Sequence, residues 1–200
     1  MGFDLNQLKI RGEAIVPIRG RQARMIVFSV GENHDEQIAI VFGKPNGSTL
    51  VRIHSECLTG DVFGSERCDC GAQLDHAMTR MADQNEGVVL YLRQEGRGIG
   101  LTAKLQAYAI QDKDGADTFE ANRNLGFGDD LRTYDAAALM CQFLGIHAIQ
   151  LLTNNPVKVE SMKRLGLKSV EQIPLPEFVT AHNLRYLEAK KRRSLINSDH

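Results

Sequence analysis

The stretch CLTGDVFGSERCDCGAQ, residues 57–73, holds three of the chain's four cysteines. Thiols this close together serve as a disulfide framework, as a closed structural zinc site, or as the ligands of a zinc ion that does chemistry. In the CDC triplet, Cys68 and Cys70 stand two positions apart, so an extended segment points both thiols to one side and Asp69 to the other. Cys57 lies upstream across LTGDVFGSER, where Gly60 and Gly64 let the loop fold back and bring in a third sulfur. Structural zinc sites normally have four protein ligands; three cysteines leave one position for water, unless His54 or His76 closes the site. The remaining cysteine, Cys141 in AAALMCQFLG, reads as a small hydrophobe in a buried helix.

Zinc acidifies a bound water and delivers hydroxide to an electrophilic carbon, and nucleobase deaminases pair such a site with an acid/base residue. Three thiolates donate more charge to the metal than three imidazoles, so a proton shuttle from the protein becomes more necessary. Tyr108, on the helix after a glycine-rich turn, and Glu56, next to the first cysteine, are the nearby candidates. The plain alternative for Tyr108 is an aromatic at the protein surface with its hydroxyl in water; for His76 it is an ordinary half-buried histidine.

Composition removes the disulfide reading. The start MGFDLNQLKI lacks a basic region followed by an apolar run, so no secretory leader is expected, and no apolar stretch approaches the roughly 18 residues of a membrane span. A chain of 200 residues with 42% hydrophobic residues can build a core without covalent staples. The expectation is a reduced, cytoplasmic protein. With 24 basic and 25 acidic residues the formal net charge is -1, which argues against a surface that coats nucleic acid or docks on a membrane. The dense basic run KKRR at 190–193 closes an amphipathic stretch, NLRYLEAKKRRSLI, and reads as a solvated helix end.

The elements that must position these groups follow from periodicity. ARMIVFSV, QIAIVFG and TLVRIH, separated by the turn signals GENHDE and GKPNGS, read as antiparallel strands. After them come a helix over AQLDHAMTRMADQ, a buried strand GVVLYL, a helix LTAKLQAYAIQD, a helix near 134–144, a strand AIQLLT and a helix VKVESMKRLG. This predicts an α/β fold: a mixed β-sheet flanked by helices, with N-terminal antiparallel strands followed by αβ units. No repeat or linker divides the chain, so one domain is expected over residues 1–200, with a helical tail from 176.

Three strands end in polar clusters: TLVRIH runs into SECLTGD, VVLYL into RQEGRGIG, and AIQLL into TNNPVK. Strand ends are where α/β sheets gather functional groups. The glycines of EGRGIG let backbone N–H groups approach a ligand, and a helix N-terminus follows. Together with Arg52 and Lys158 at the other two strand ends, they favour an anionic ligand.

The segments RIHSECLTGDVFGSERCDCG, RQEGRGIGL, NLGFGDDLRTY and LLTNNPVKVE resemble the signature segments of GTP cyclohydrolase II, in that family's order over most of residues 12–175. The resemblance implies a zinc-dependent hydrolase that opens the imidazole ring of GTP at C8, releases formate and pyrophosphate, and starts riboflavin synthesis. The implied product is 2,5-diamino-6-(5-phosphoribosylamino)pyrimidin-4(3H)-one. It implies zinc on Cys57, Cys68 and Cys70, one ion per chain, and magnesium on the triphosphate. GTP contacts are implied for Arg52, Ile53, His54, Ser55 and Glu56, for Gln73 at the guanine edge, and for Glu95, Gly96 and Arg97. Thr118, Thr153 and Lys158 complete them. Tyr108 falls at the family's catalytic tyrosine, Asp130 at its proton acceptor, and Arg132 at the residue proposed as nucleophile on the α-phosphate. Because a guanidinium is almost always protonated, clamping of phosphate by its planar fork is the conservative alternative for Arg132. The implied form is monofunctional and homodimeric. Glu66, before the arginine of ERCDC, departs from the small or apolar residue common there and puts the loop between ligands in a more polar setting.

Two other classes remain. A family variant can stop at the formamidopyrimidine. A zinc-dependent nucleobase deaminase shares the metal chemistry, but its H-x-E and P-C-x-x-C elements are missing.

Overall fold

The computed structural model describes residues 5–31, 33–46, 48–184 and 186–189. The basic run at 190–193 lies outside the described residues. The chain divides into two compact units: the first comprises 1–54, 74–93 and 133–175, the second 55–73, 94–132 and 176–200.

The first unit carries a seven-stranded sheet. Its strands are β1 (Leu8–Ile18), β2 (Arg21–Val30), β3 (Asn33–Phe42), β4 (Thr49–Ser55), β5 (Gly87–Leu92), β6 (Ala148–Leu152) and β7 (Ser169–Ile173), in the order β1-β2-β3-β5-β4-β6-β7. β1, β2, β3 and β5 pair antiparallel in succession, whereas β4 pairs with β6, and β6 with β7, in parallel. The sheet is therefore mixed, as expected, with TLVRIH paired in parallel to β6. That strand lies in the interior of the sheet, with β5 on one side and β6 on the other.

Local chemistry explains the hairpin. Ile18 faces Arg21, leaving Arg19 and Gly20 as a two-residue turn with φ of 49° and 74°, the doubly left-handed geometry that matches strand twist. β1 is exposed over most of its length, and as an edge strand it tolerates Pro17. β5 is buried on both faces, which is why it reads as the unbroken run GVVLYL. Its alternation divides the core. Val88, Leu90 and Leu92 join Ile26, Val51, Ile53 and Leu151 against helix α5 (Asp135–Phe143) and Met162 of α6 (Pro156–Arg164). Val89 joins Phe42, Leu50 and Leu152 against Ala77, Met78 and Met81 of α2 (Cys70–Gln84). Cys141 is fully buried in α5, and burial pushes its thiol up to about 12.

The second unit is made of turns and helices: α1 (Leu58–Asp61), the start of α2, a 3-10 turn Glu95–Gly98, α3 (Gly100–Asp114) and α4 (Thr118–Asn124). α4 begins with a reciprocal capping box, in which Asp117 accepts from the Phe119 and Glu120 backbone N–H groups and Glu120 accepts from that of Asp117. In the tail, Asn183 is fully buried; it accepts from the Thr180 backbone and donates to the Phe178 carbonyl.

Candidate metal centre and nucleotide pocket

The second unit brings Cys57, Cys68 and Cys70 together, their sulfurs all within 4.8 Å of one another and the Cys57 and Cys68 sulfurs 3.6 Å apart. The CDC triplet is not extended. Cys68 and Asp69 form a bend, and Cys70 is the first residue of α2, so the chain turns between the two cysteines. Convergence comes from the helix start rather than from strand alternation. Asp69, expected to point away, is buried and accepts a 2.5 Å hydrogen bond from the Gln73 amide.

Two glycines allow the loops to meet. A Cβ on Gly71 would stand 2.3 Å from the Gly60 carbonyl oxygen, and one on Gly60 would stand 3.2 and 3.3 Å from the sulfurs of Cys57 and Cys68. Gly60 thus serves close approach from within α1, while Gly64, at φ 65°, makes the turn.

Zinc–sulfur bonds of about 2.3 Å in a tetrahedron put sulfurs about 3.8 Å apart, so the donor set and the 3.6 Å spacing of Cys57 and Cys68 fit zinc. Among the described residues no histidine or carboxylate joins the group, and neither His54 nor His76 closes it. His54 instead stacks on Tyr91 and lies 3.4 Å from Arg52. The Cys57 thiol is held well below its ordinary range by hydrogen bonds from Cys68 and Cys70 and by Lys104. The partner Cys68 is pushed up to about 11, first by its bond to Cys57.

The sulfurs line a cavity of about 760 Å³, a size suited to a nucleotide. Of the expected site residues, Ser55, Glu56, Glu95, Gly96 and Arg97 line it, as do Tyr108, Thr118 and Arg132. Arg97 adopts a left-handed backbone, φ 60° and ψ 32°, directly after left-handed Gly96. Its guanidinium lies 4.4 Å from the Phe119 ring centroid and 5.9 Å from that of Tyr186. A non-glycine residue in this region costs about 1 kcal/mol or more, and the cost aims a cation at the cavity.

Arg132 does not stand alone. Its Nε and Nη2 donate to the two Asp130 oxygens at 2.8 and 2.5 Å, and its backbone N–H to Oδ1 at 3.1 Å. Burial pushes the Asp130 carboxyl up, but the Arg132 fork outweighs it and holds it below its ordinary range. The segment 128–134 has no regular structure, so the pair is set by this fork and not by strand alternation.

Tyr108 is half-buried on the cavity wall, and burial raises its hydroxyl pKa. Arg67 covers its ring at 4.4 Å and is itself clamped by Asp112 at 2.9 and 2.7 Å. The reading of Tyr108 missed this support, and it missed Lys104, which donates to the Cys57 sulfur at 3.1 Å, to Thr59 at 2.9 Å and to Glu95 at 2.8 Å. A signal was present: Lys104 and Tyr108 are four apart on α3 and share a face.

The remaining expected residues lie elsewhere. Gln73 is buried against Asp69. Arg52, Ile53, His54, Thr153 and Lys158 belong to the first unit. There Arg52 donates to the Leu152 carbonyl at 3.0 Å and Lys158 to the Ile53 carbonyl at 2.8 Å, both cations being about 95% buried. Thr153 accepts from the Asn155 backbone, opening α6. Glu66, in the loop between ligands, accepts through its carbonyl from Thr180, and its carboxylate lies 3.6 Å from His182.

With this geometry in place, comparison with known proteins is decisive: residues 9–174 match the family model for GTP cyclohydrolase II. The chain belongs to the GTP cyclohydrolase II family. It is 49% identical over 177 residues to GTP cyclohydrolase-2 of Shewanella amazonensis, covering 86% of each protein. It is 48% identical over 186 residues to the riboflavin biosynthesis protein RibBA of Mycobacterium avium, covering 90% of this chain and 44% of that protein. RibBA of Mycobacterium tuberculosis gives the same identity and coverage. As a GTP cyclohydrolase II, the chain is a hydrolase that acts on GTP in riboflavin biosynthesis, with a three-cysteine metal-binding cluster. No helix among the described residues is long and apolar enough to cross a membrane.

Proposed function

We propose that residues 1–200 act as one functional domain, in which the cavity of the second unit holds GTP with the guanine ring at the three cysteines and the triphosphate toward Arg97 and Arg132. The observation that carries this reading is the cavity itself, which has a soft-metal donor set and three guanidinium groups, those of Arg67, Arg97 and Arg132, on its lining. Cys57, Cys68 and Cys70 would hold a zinc ion, which would supply Lewis acidity and acidify a water. The protein's own groups do the rest. Tyr108, kept protonated by burial and held between the Arg67 cation and the cavity, donates or relays a proton at the ring nitrogen. Arg97 and Arg132 orient phosphoryl oxygens, Asp130 holds the Arg132 fork and accepts a proton, and Thr118 on the cavity lining offers its hydroxyl.

Magnesium on the triphosphate, contacts from Ser55 and Glu56 on the cavity lining, a homodimeric assembly and a cytoplasmic location complete the reading, while GTP contacts for Arg52, Ile53, His54, Gln73, Thr153 and Lys158 rest on the family resemblance alone. For Glu95, engagement of both carboxylate oxygens by Lys104, Gly96 and Leu58 supports a role in holding the cysteine loop. The test is Arg97→Gln. Losing a charge-assisted bond to phosphate costs about 1.5–3 kcal/mol, so KM for GTP is expected to rise roughly tenfold to a hundredfold with zinc content unchanged. An unchanged KM would take the triphosphate away from Arg97.

A further inference from the structure

The contacts of Lys104 have no counterpart in what the family resemblance implies. Lys104 is 7% exposed, and its ammonium donates to three acceptors: the Cys57 sulfur, the Thr59 hydroxyl and Glu95 Oε1. Glu95 is buried as well, and its other oxygen accepts from the backbone N–H of Leu58, the residue after Cys57, at 2.7 Å. The pair therefore grips Cys57 twice, by its sulfur through the lysine and by the following peptide through the carboxylate. α3 supplies the cation from a helix that contributes no ligand of its own.

Charge gives this arrangement a purpose beyond packing. Three thiolates around a divalent zinc leave a net negative centre, and a buried negative centre is costly without a partner. An N⁺–H donor on a thiolate draws electron density from the sulfur and weakens its donation to the metal. We infer that Lys104 is a positioning residue of the metal centre, whose buried ammonium fixes the Cys57 sulfur and offsets part of the negative charge that three cysteines bring to zinc. The inference rests on the reading that these cysteines hold zinc.

The test compares the full-length wild type with Lys104→Met, Lys104→Arg and the double variant Lys104→Met/Glu95→Gln, which avoids a carboxylate left without its cation. Two readouts are independent of turnover: zinc affinity in competition with a chromophoric chelator, and the thiolate-to-metal charge-transfer band of cobalt-substituted protein. Outer-shell partners are commonly worth about 10–100-fold in metal affinity, and a loss in that range is expected for both neutral variants. Removing the donor raises the sulfur lone pairs in energy, so the cobalt band is expected to move to longer wavelength. Lys104→Arg should lie nearer the wild type in both measurements. A merely structural lysine would lower thermal stability and leave the band of the folded, cobalt-loaded protein in place. An unmoved band and wild-type zinc affinity in either folded neutral variant overturns the inference. Failure of the wild type itself to bind one zinc would instead overturn the metal reading on which it rests.

Discussion

Cys70→Ser is expected to lose zinc and, with it, opening of the guanine ring. Cys70 begins α2 and meets the other two sulfurs only because Gly60 and Gly71 let the backbones touch, so no neighbouring donor can move in to replace it. Among the described residues the cluster has no fourth protein ligand in reserve. A hydroxyl is a poor substitute for thiolate at zinc, and two remaining thiolates do not hold the ion against buffer. Losing a Lewis acid worth several kcal/mol lowers the rate by more than about a hundredfold. Metal analysis and ring-opening assays on one preparation decide the matter: ring opening at the wild-type rate by zinc-free Cys70→Ser would remove the metal from the chemistry. Pyrophosphate release should fall less, because the phosphate end is addressed by Arg97 and Arg132 rather than by the cysteines. If pyrophosphate release instead stops in every zinc-free variant that still binds GTP, the two steps are strictly ordered, with the ring opened first.

The second large effect concerns Arg132. Arg132→Lys is expected to fail almost as badly as Arg132→Ala in pyrophosphate release at saturating GTP. The guanidinium is held by two parallel bonds to Asp130 with a third from its own backbone, which locks the plane of the fork. A lysine ammonium keeps the charge but cannot be held in that plane, and it presents a point where phosphate needs an edge. Loss of oriented contacts to a transition state commonly costs about 3–4 kcal/mol, a hundredfold or more in rate. Near-wild-type turnover in Arg132→Lys, with zinc content unchanged, would mean that only charge matters at this position.

These groups differ in how far the sequence discloses them. The cysteines are legible because soft ligands cluster rarely and their spacing is constrained. Their mode of convergence is missed, since the bend at Cys68 and Asp69 depends on α2 beginning at Cys70 rather than at Ala72, a start that Asp69, a favourable N-cap residue type, could have marked. β5 and α5 are legible from continuous apolar runs, whereas β1 is not, because an edge strand exposed on most of its length has no alternation to read. Lys104 was hidden for a related reason: a lysine within a helix reads as a solvated residue, and only the packing of α3 against the Cys57 loop makes it a buried cation. Arg52 and Lys158 show the reverse. The sequence places both at strand ends, whereas Arg52 sits within β4 and Lys158 within α6, and their bonds to the Leu152 and Ile53 carbonyls are tertiary facts. Arg97 combines both cases. The glycines beside it announce a tight turn, yet nothing in the sequence says that the arginine itself takes the left-handed conformation.

The central claim is that this chain opens the guanine ring of GTP at the three-cysteine centre and completes the GTP cyclohydrolase II reaction. The most direct measurement is to incubate the zinc-loaded protein with GTP and magnesium and identify every product by mass spectrometry. The account predicts formate, pyrophosphate and the diaminopyrimidinone ribosyl phosphate, with the ring carbon recovered only as formate. A formamidopyrimidine that retains that carbon, a deaminated nucleotide, or GTP recovered intact would contradict it.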